Sequence, residues 1–323
     1  MRCSVVVAAY NAHKTLEKCL NAIFGSSFKD FEVIVVDDAS HDATAQIAKK
    51  YPVTLISLKA NVGAASARNL GAQEAKYDIL VFIDSDVVIL KETLKKIVMT
   101  FESHEDIAAC VGVLSEMSPQ KNFFSQYKNL YMRFVLNCCP DRIDFIYGSC
   151  FSIRKKFYEP YCPTYRFGED TELGSRLSDK GLTILLDKSL EVIHLKSYTF
   201  FSFLRNDFNI PFAWSRLFIE QKKWKGLLER KRVFHARKNQ LLSIIVSPFL
   251  ILGFFHHPLV GVFFFIVFIT LNLDFLIYLN KKRGFWFSLV SILVGWIDAL
   301  VMGFAILSGM VSFFFATIIR RHT

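Results

Sequence analysis

The chain has 323 residues, 52% of them apolar, and a formal net charge of +10 at pH 7. The length argues against a single compact domain, and the apolar content is too high for a protein that is soluble throughout. Seven cysteines without C-x-x-C spacing exclude an obvious zinc site or disulfide framework and fit a reducing compartment.

The greasiness is uneven. Up to about residue 195 the chain reads as a globular α/β domain; residues 196–240 are aromatic and basic; residues 241–319 read as lipid-embedded. There is no internal repeat or low-complexity tract, and the first residues lack the pattern of a signal peptide.

"CSVVVAAY" (3–10) is a continuous apolar run, as expected of a strand buried on both faces. "NAHKTLEKCLNAIF" follows, with Leu16, Cys19, Leu20 and Ile23 at helical spacing. "FEVIVVDDAS" (31–40) is a second buried strand ending in acids, after which Asp42 can cap a helix running to Lys50. "VTLISL" (53–58) is a third strand, "GAASARNLGAQEAK" (63–76) a helix of small residues, and "DILVFID" (78–84) a fourth strand. This alternation predicts a parallel sheet with helices on both faces. Ligands of such sheets bind at the carboxyl ends of the strands. Asn11, Asp37, Asp38, Asp84 and Asp86 all fall there.

Five stretches in order, "VVVAAYNAHKTLEKCL", "VIVVDDAS", "NVGAASARN", "VFIDSD" and "FGEDTELGSRL", resemble the family 2 glycosyltransferases of GT-A (Rossmann-like) fold over roughly residues 1–195. The resemblance implies a nucleotide-diphosphate sugar donor, Mg²⁺ or Mn²⁺ as cofactor, and inversion at the anomeric carbon. It assigns Asp86 to the metal, Asp84 to the donor ribose or the metal shell, and Ser85 to the same donor loop. Asp38 is implied to read the nucleobase edge, with Ala9, Tyr10 and Asn11 flanking the base. Arg68 falls near the diphosphate or bonded to the aspartates. Gly148, in "IYGSCFSIRKKFYE", opens the backbone to the sugar; the chain has Ser149 and Cys150 where the family often has a second glycine or an Asn. Asp170 is implied as general base with Glu169 in support, and His194 as a metal ligand. Taken singly, the same residues also read as caps and ion pairs: "DSD" before a helix starting near Leu90, Asp37 and Asp38 in a solvated loop, Arg68 in a structural pair.

"KKWKGLLERKRVFHARK" (222–238) has eight Lys or Arg against one Glu, and aromatics precede it. Next to bilayer-length segments this reads as interfacial helices on anionic lipids rather than a nucleic-acid surface. Beyond it, 241–255 is short, 259–279 is long enough to span, and 285–319 would run ~52 Å as one helix, beyond the ~30 Å hydrocarbon core. It reads as one tilted helix or a tight pair, giving three or four crossings. The basic residues before 241, at 281–283 and at 320–321 favour four, with the catalytic domain and the C-terminus cytoplasmic. Asp274 lies near the headgroups and reads as structural; Asp298 stands alone in an apolar run, where an acid is a functional suspect. The expected protein is a multi-pass membrane glycosyltransferase with a lipid-linked or membrane-associated acceptor. The alternatives are a polyprenyl-phosphate glycosyltransferase and a non-catalytic sugar-nucleotide-binding scaffold.

Overall fold

Buried apolar runs alternate with short helices through the first half of the chain, and in the computed structural model they build one mixed sheet. The structure describes residues 1–221, 232–233 and 236–322, with side chains through residue 315 apart from 232–233. Most of the basic stretch 222–238 therefore lies outside the described residues, as do the side chains of Arg320 and Arg321. The chain divides into two compact units: Met1–Lys121 with Leu136–Ser197, and Asn122–Val135 with Tyr198–Thr323.

In the first unit, β1 (Cys3–Ala9), α1 (Leu16–Phe24), β2 (Phe31–Asp37), α2 (Thr44–Ala48), β3 (Thr54–Ser57), α3 (Ala64–Glu74) and β4 (Ile79–Ile83) follow the expected order. Then come β5 (Val87–Ile89), α4 (Thr93–Ser103) and β6 (Ile107–Leu114). Helix α5 (Phe123–Asn137) runs mostly in the second unit. The first unit resumes with β7 (Arg142–Ile143), β8 (Cys150–Arg154), α6 (Glu169–Asp179) and β9 (Thr183–His194). The sheet order is β3-β2-β1-β4-β8-β6-β9-β5, with β7 on β9.

The expectation of a parallel sheet holds for β1 to β4, and β6 also pairs parallel with β9. Strand β8 runs antiparallel to both β4 and β6, and β5 and β7 run antiparallel to β9. The strands after α4 are joined by connections that the two-strand, one-helix alternation does not describe. The antiparallel β5–β9 pair sets Val87 opposite His194, so the end of β9 faces the turn after β4. The core between sheet and helices is made by Val6, Ile34, Leu80, Phe82, Phe151 and Leu173 among others. Burying such side chains contributes ~1.5–3 kcal/mol each.

In the second unit, α7 (Phe200–Glu220) opens with a capping box between Thr199 and Ser202. Helices α8 (Lys238–His256), α9 (Pro258–Arg283) and α10 (Phe285–His322) follow. Three stretches, 238–256, 258–283 and 285–315, are long and apolar enough to cross a membrane. Residues 285–319 form one helix rather than a tight pair, so among the described residues there are three such helices. Asp274 pairs with Arg237 at 3.2 Å.

Asp298 is buried, and it faces a second acid. Lys128 of α5 donates to Asp207 of α7, which also accepts from Asn206 at 2.8 Å, and Asp298 of α10 approaches the same pair. All three ionisable groups are buried. One lysine thus ties three helices together. Removing one partner of a buried pair typically costs ~3–5 kcal/mol, because the other charge stays buried. Lys128→Met is expected to lower the melting temperature of the purified chain clearly. The triple variant Lys128→Met, Asp207→Leu, Asp298→Leu should recover most of the loss. A Lys128→Met protein that melts with the parent would show that the cluster holds nothing together.

Candidate active site

The polar residues at the strand ends converge because α3 lies close against the sheet. A Cβ at Gly71 would stand 2.4 Å from Val6 Cγ1, and Ala65, Ala67 and Ala72 are buried beside it. That close approach carries Arg68 under the sheet edge. Its Nη2 donates to Asp84 Oδ1 at 2.8 Å and its Nη1 to Glu169 Oε1 at 2.9 Å. The guanidinium lies over the Tyr161 ring, 5.3 Å from the centroid. Burial alone would depress the Arg68 pKa; Asp84, Tyr161 and Glu169 hold it well above the ordinary value. Arg68 is therefore a fixed cation joining the turn after β4 to the start of α6.

Asp86, two residues on from Asp84, turns the other way. His194 Nε2 lies 3.3 Å from its Oδ1, and the Asp86 carbonyl accepts from Leu195 N at 2.7 Å. Burial pushes the Asp86 carboxyl up, but the His194 hydrogen bond and charge, with Lys196, bring it below the usual range. Ser85 sits between the two acids and is half-buried.

Helix α6 starts after Gly168, whose φ of +78° is open to glycine at little cost. Asp170 Oδ1 accepts from Thr171 N at 2.7 Å, and Oδ2 accepts from Gly148 N at 3.0 Å. A Cβ on Gly148 would stand 3.3 Å from Asp170 Oδ2, so the missing side chain leaves the carboxylate accessible. Helix-start N–H groups on their own favour the ionised form of a carboxyl. For Asp170 the opposite holds: desolvation by burial, then the negative Glu169, raise its pKa from 3.8 to about 7 against the pull of Arg68 and the two N–H groups.

The β1 and β2 ends form a second polar edge. Tyr10 is exposed, following buried Ala9. Asn11 has φ +49°, and its Oδ1 accepts from His41 N at 2.9 Å. Asp38 is 3% exposed; its two oxygens accept from Val62 N at 2.7 Å and Gly63 N at 2.9 Å. A base edge reaching Asp38 has to share oxygens that already hold the 61–63 loop. Asp37 is also buried and accepts from Ser40 N at 3.2 Å.

Three residues escaped the sequence reading. Gly174 packs α6 onto backbone: a Cβ there would stand 2.3 Å from Ile146 N, which fixes the 146–148 loop against Asp170 one turn earlier. Tyr161 carries the face under Arg68, and its buried hydroxyl has no hydrogen-bond partner. Asn69 clamps Tyr161 by donating to its carbonyl and accepting from its N–H, both at 2.8 Å. The spacing of Gly174 four residues after Asp170 was the one available signal.

Among the described residues no group of three or more His, Cys, Asp or Glu stands at metal-binding distances. The Asp86–His194 pair does fit a divalent ion that takes its other ligands from water and phosphate oxygens. Its carboxylate and imidazole suit Mn²⁺ or, with the oxygen alone, Mg²⁺.

Residues 4–162 match the family model described as Glycosyl transferase family 2. The poly(ribitol-phosphate) beta-N-acetylglucosaminyltransferase TarS of Staphylococcus aureus (strain Mu50) is 35% identical over 133 residues, 38% of this chain and 23% of that protein. The match thus spans about a quarter of that relative's length. A crystal structure of S. aureus TarS 1-349 aligns over 97% of this chain and 89% of that chain, at TM-score 0.52 and 17% identity. The mannosyltransferase PcManGT from Pyrobaculum calidifontis, solved in complex with GDP-Man and Mn²⁺, aligns over 97% and 87%, at TM-score 0.59 and 14% identity. At these identities the structural likeness is one of fold alone.

The raised Asp170 pKa has a thermodynamic consequence. The unfolded chain releases this proton near pH 4, the folded one at about 7. Between these values the folded state binds more protons, so stability falls as pH rises from about 4 to about 7. Asp170→Asn removes that loss. The variant should resist denaturant better than the parent at pH 8 and equally at pH 4. Equal midpoints at pH 8 would mean that the folded protein does not hold Asp170 near neutrality.

Proposed function

We propose that this chain, which carries a glycosyl transferase family 2 domain, is a metal-dependent, inverting glycosyltransferase. It moves a sugar from a nucleotide diphosphate to a hydroxyl of a lipid-linked acceptor. One observation carries the reading: Asp170, a half-buried carboxyl whose pKa is raised to about 7 by desolvation and by Glu169, faces Gly148 in a site tied by Arg68 to the Asp84–Asp86 turn.

A transferase that inverts needs a base on the acceptor side. Asp170 suits that role because a base with a pKa near ambient pH takes a proton most usefully while remaining unprotonated in a good fraction of molecules. Glu169, held by Arg68, supplies the neighbouring negative charge and positions rather than accepts. A base of this kind favours a hydroxyl acceptor over a phosphate, which needs no deprotonation. Asp84 and Ser85 with the Tyr10–Asn11 edge and Asp38 form the donor side. Asp86 and His194 would hold Mg²⁺ or Mn²⁺, which when bound supplies positive charge to the leaving diphosphate.

The acceptor class is argued from the second unit. Helices α9 and α10 expose Leu259, Phe263, Ile266 and Leu293, a face that water does not favour. A catalytic domain on the same chain as a bilayer anchor gains from a substrate that lives in the bilayer. With three crossings, the start of α8 and the Lys281–Arg283 turn share the cytoplasmic side, and the C-terminus lies opposite.

Asp170→Asn is expected to leave donor binding near normal and cut kcat by at least ~10². In the parent, kcat/KM should rise with pH to a plateau above about 7. Unchanged kcat ends the assignment of Asp170 as base, and an equal loss of donor affinity moves it to the donor shell. Asp86→Ala should abolish Mn²⁺-dependent release of nucleoside diphosphate while the fold is kept; full activity in excess EDTA would sink the metal role. For topology, a cysteine replacing Thr323 in sealed vesicles should react with an impermeant reagent from outside. Labelling only after permeabilisation would restore an even number of crossings.

A further inference from the structure

Within the second unit, α7, α8 and α10 enclose an apolar cleft of about 650 Å³. That volume lies inside the ~300–1,000 Å³ of sites that hold small organic ligands. We propose that this cleft binds the hydrocarbon chain of a single-chain anionic lipid, the lipid-linked acceptor of the function proposed above, on which this inference rests.

The walls exclude a polar ligand. They are built from side chains such as Trp214, Phe218, Ile244, Leu300, Phe304 and Leu307. Apart from the Trp214 indole, the described lining carries two polar side chains, Ser215 and Ser247, and both hydroxyls turn back onto their own helices. Ser215 Oγ donates to the Phe212 carbonyl at 2.9 Å, and Ser247 Oγ to the Ile244 carbonyl at 2.8 Å. The second bond has a local cause. Pro248 has no N–H to give the Ile244 carbonyl, and the neighbouring serine supplies the missing donor. A helix interruption that would expose a polar carbonyl to the cleft is thereby neutralised.

The cleft is also held in shape by backbone contacts at both of its walls. A Cβ on Gly309 would stand 2.0 Å from Ser215 Oγ and 2.5 Å from the Phe212 carbonyl oxygen, so α10 touches α7 there. A Cβ on Gly303 would stand 3.2 Å from Ile244 Cγ2, so α10 meets α8 one and a half turns earlier. Trp296 Nε1 donates to the Ser247 carbonyl at 2.9 Å and adds a third tie. Close contacts at small residues fix the three helices, and the larger side chains between them leave the space.

The occupant follows from the surroundings. Two of the three walls, α8 and α10, have the length and composition of membrane spans, so the cleft opens among hydrocarbon rather than water. Its lining reaches Ala236, which Arg237 and Lys238 follow in the chain. Positive charge at that end, from Lys238 and from Arg237, which also pairs with Asp274 at 3.2 Å, complements an anionic headgroup; a zwitterionic two-chain phospholipid matches neither the charge nor a single cleft.

The test uses the full chain in phosphatidylcholine nanodiscs and two diazirine probes, a polyprenyl phosphate and a phosphatidylcholine, with labelled positions mapped by mass spectrometry. The polyprenyl phosphate probe should label Trp214, Ile244 and Leu307 saturably. Unlabelled polyprenyl phosphate, or filling the cleft by Leu300→Trp, should reduce this at least ~10-fold by removing buried apolar contact. Phe263 and Ile266 on the outer face of α9 should be labelled by either probe in proportion to its mole fraction. Cleft labelling that is equally proportional for both probes, or that unlabelled polyprenyl phosphate does not compete, overturns the proposal. The readout needs no turnover. Saturable, competed labelling in a chain without transferase activity keeps the lipid-chain site and removes only the transferase reading; an active transferase with proportional labelling does the reverse.

Discussion

One buried guanidinium organises the candidate active site. Arg68 has carboxylates on two sides, Asp84 at the end of β4 and Glu169 at the start of α6. These belong to elements 85 residues apart in sequence, and no other ion pair among the described residues joins them. A buried charge of this kind persists only where its partners are already in place. Each local feature around it serves that requirement. The small residues of α3 let the helix approach the sheet, Asn69 locks Tyr161, and the Tyr161 ring covers the guanidinium. Removing Arg68 would leave two acids unpaired and the turn after β4 detached from α6.

The same cation explains why adjacent acids differ. Glu169 bonds to Arg68 at 2.9 Å. Asp170 points to Gly148, gains no cation of its own, and has a negative neighbour in a dry environment. Two backbone N–H groups oppose its neutralisation and lose to desolvation. Pushing two adjacent carboxyls apart in acidity is a general way to separate a charge-holding role from a proton-accepting one. It needs only one well-placed arginine and a glycine across from the second acid.

This division was half legible in the sequence. The strands 3–10, 31–40 and 78–84 announce themselves by unbroken apolar runs, and the acids at their ends mark a site. His194 at a strand end was legible too, and the structure sets its Nε2 3.3 Å from Asp86 Oδ1. Burial was not legible. A carboxyl after a glycine at a helix start looks capped and acidic, and only the packed loop at 145–148 shows that it is dry. Gly174, Tyr161 and Asn69 act through backbone contacts, for which residue type gives little signal. The antiparallel strands β5, β7 and β8 were missed because local alternation carries no information on long-range pairing. In the second unit Asp298 looked solitary because its partners, Asp207 and Lys128, stand 91 and 170 positions earlier.

The unbroken run of α10 also has a physical reason that hydropathy hides. A stripe along this helix is buried or half-buried and mostly small: Gly295, Asp298, Ala299, Met302, Gly303, Ala305 and Gly309 recur at spacings of three and four. It meets Tyr127, the Lys128–Asp207 pair, Ile244 and Ser215 in turn. Leu293, Val311 and Phe314 of the same helix are exposed. A break into two short helices would rotate one half of the stripe off its partners and leave Asp298 without the lysine. Continuity over 38 residues is therefore set by side-chain register. In a bilayer, length beyond the hydrocarbon thickness would be accommodated by tilt or protrusion, which cost little per ångström, whereas an unpaired intramembrane acid costs several kcal/mol.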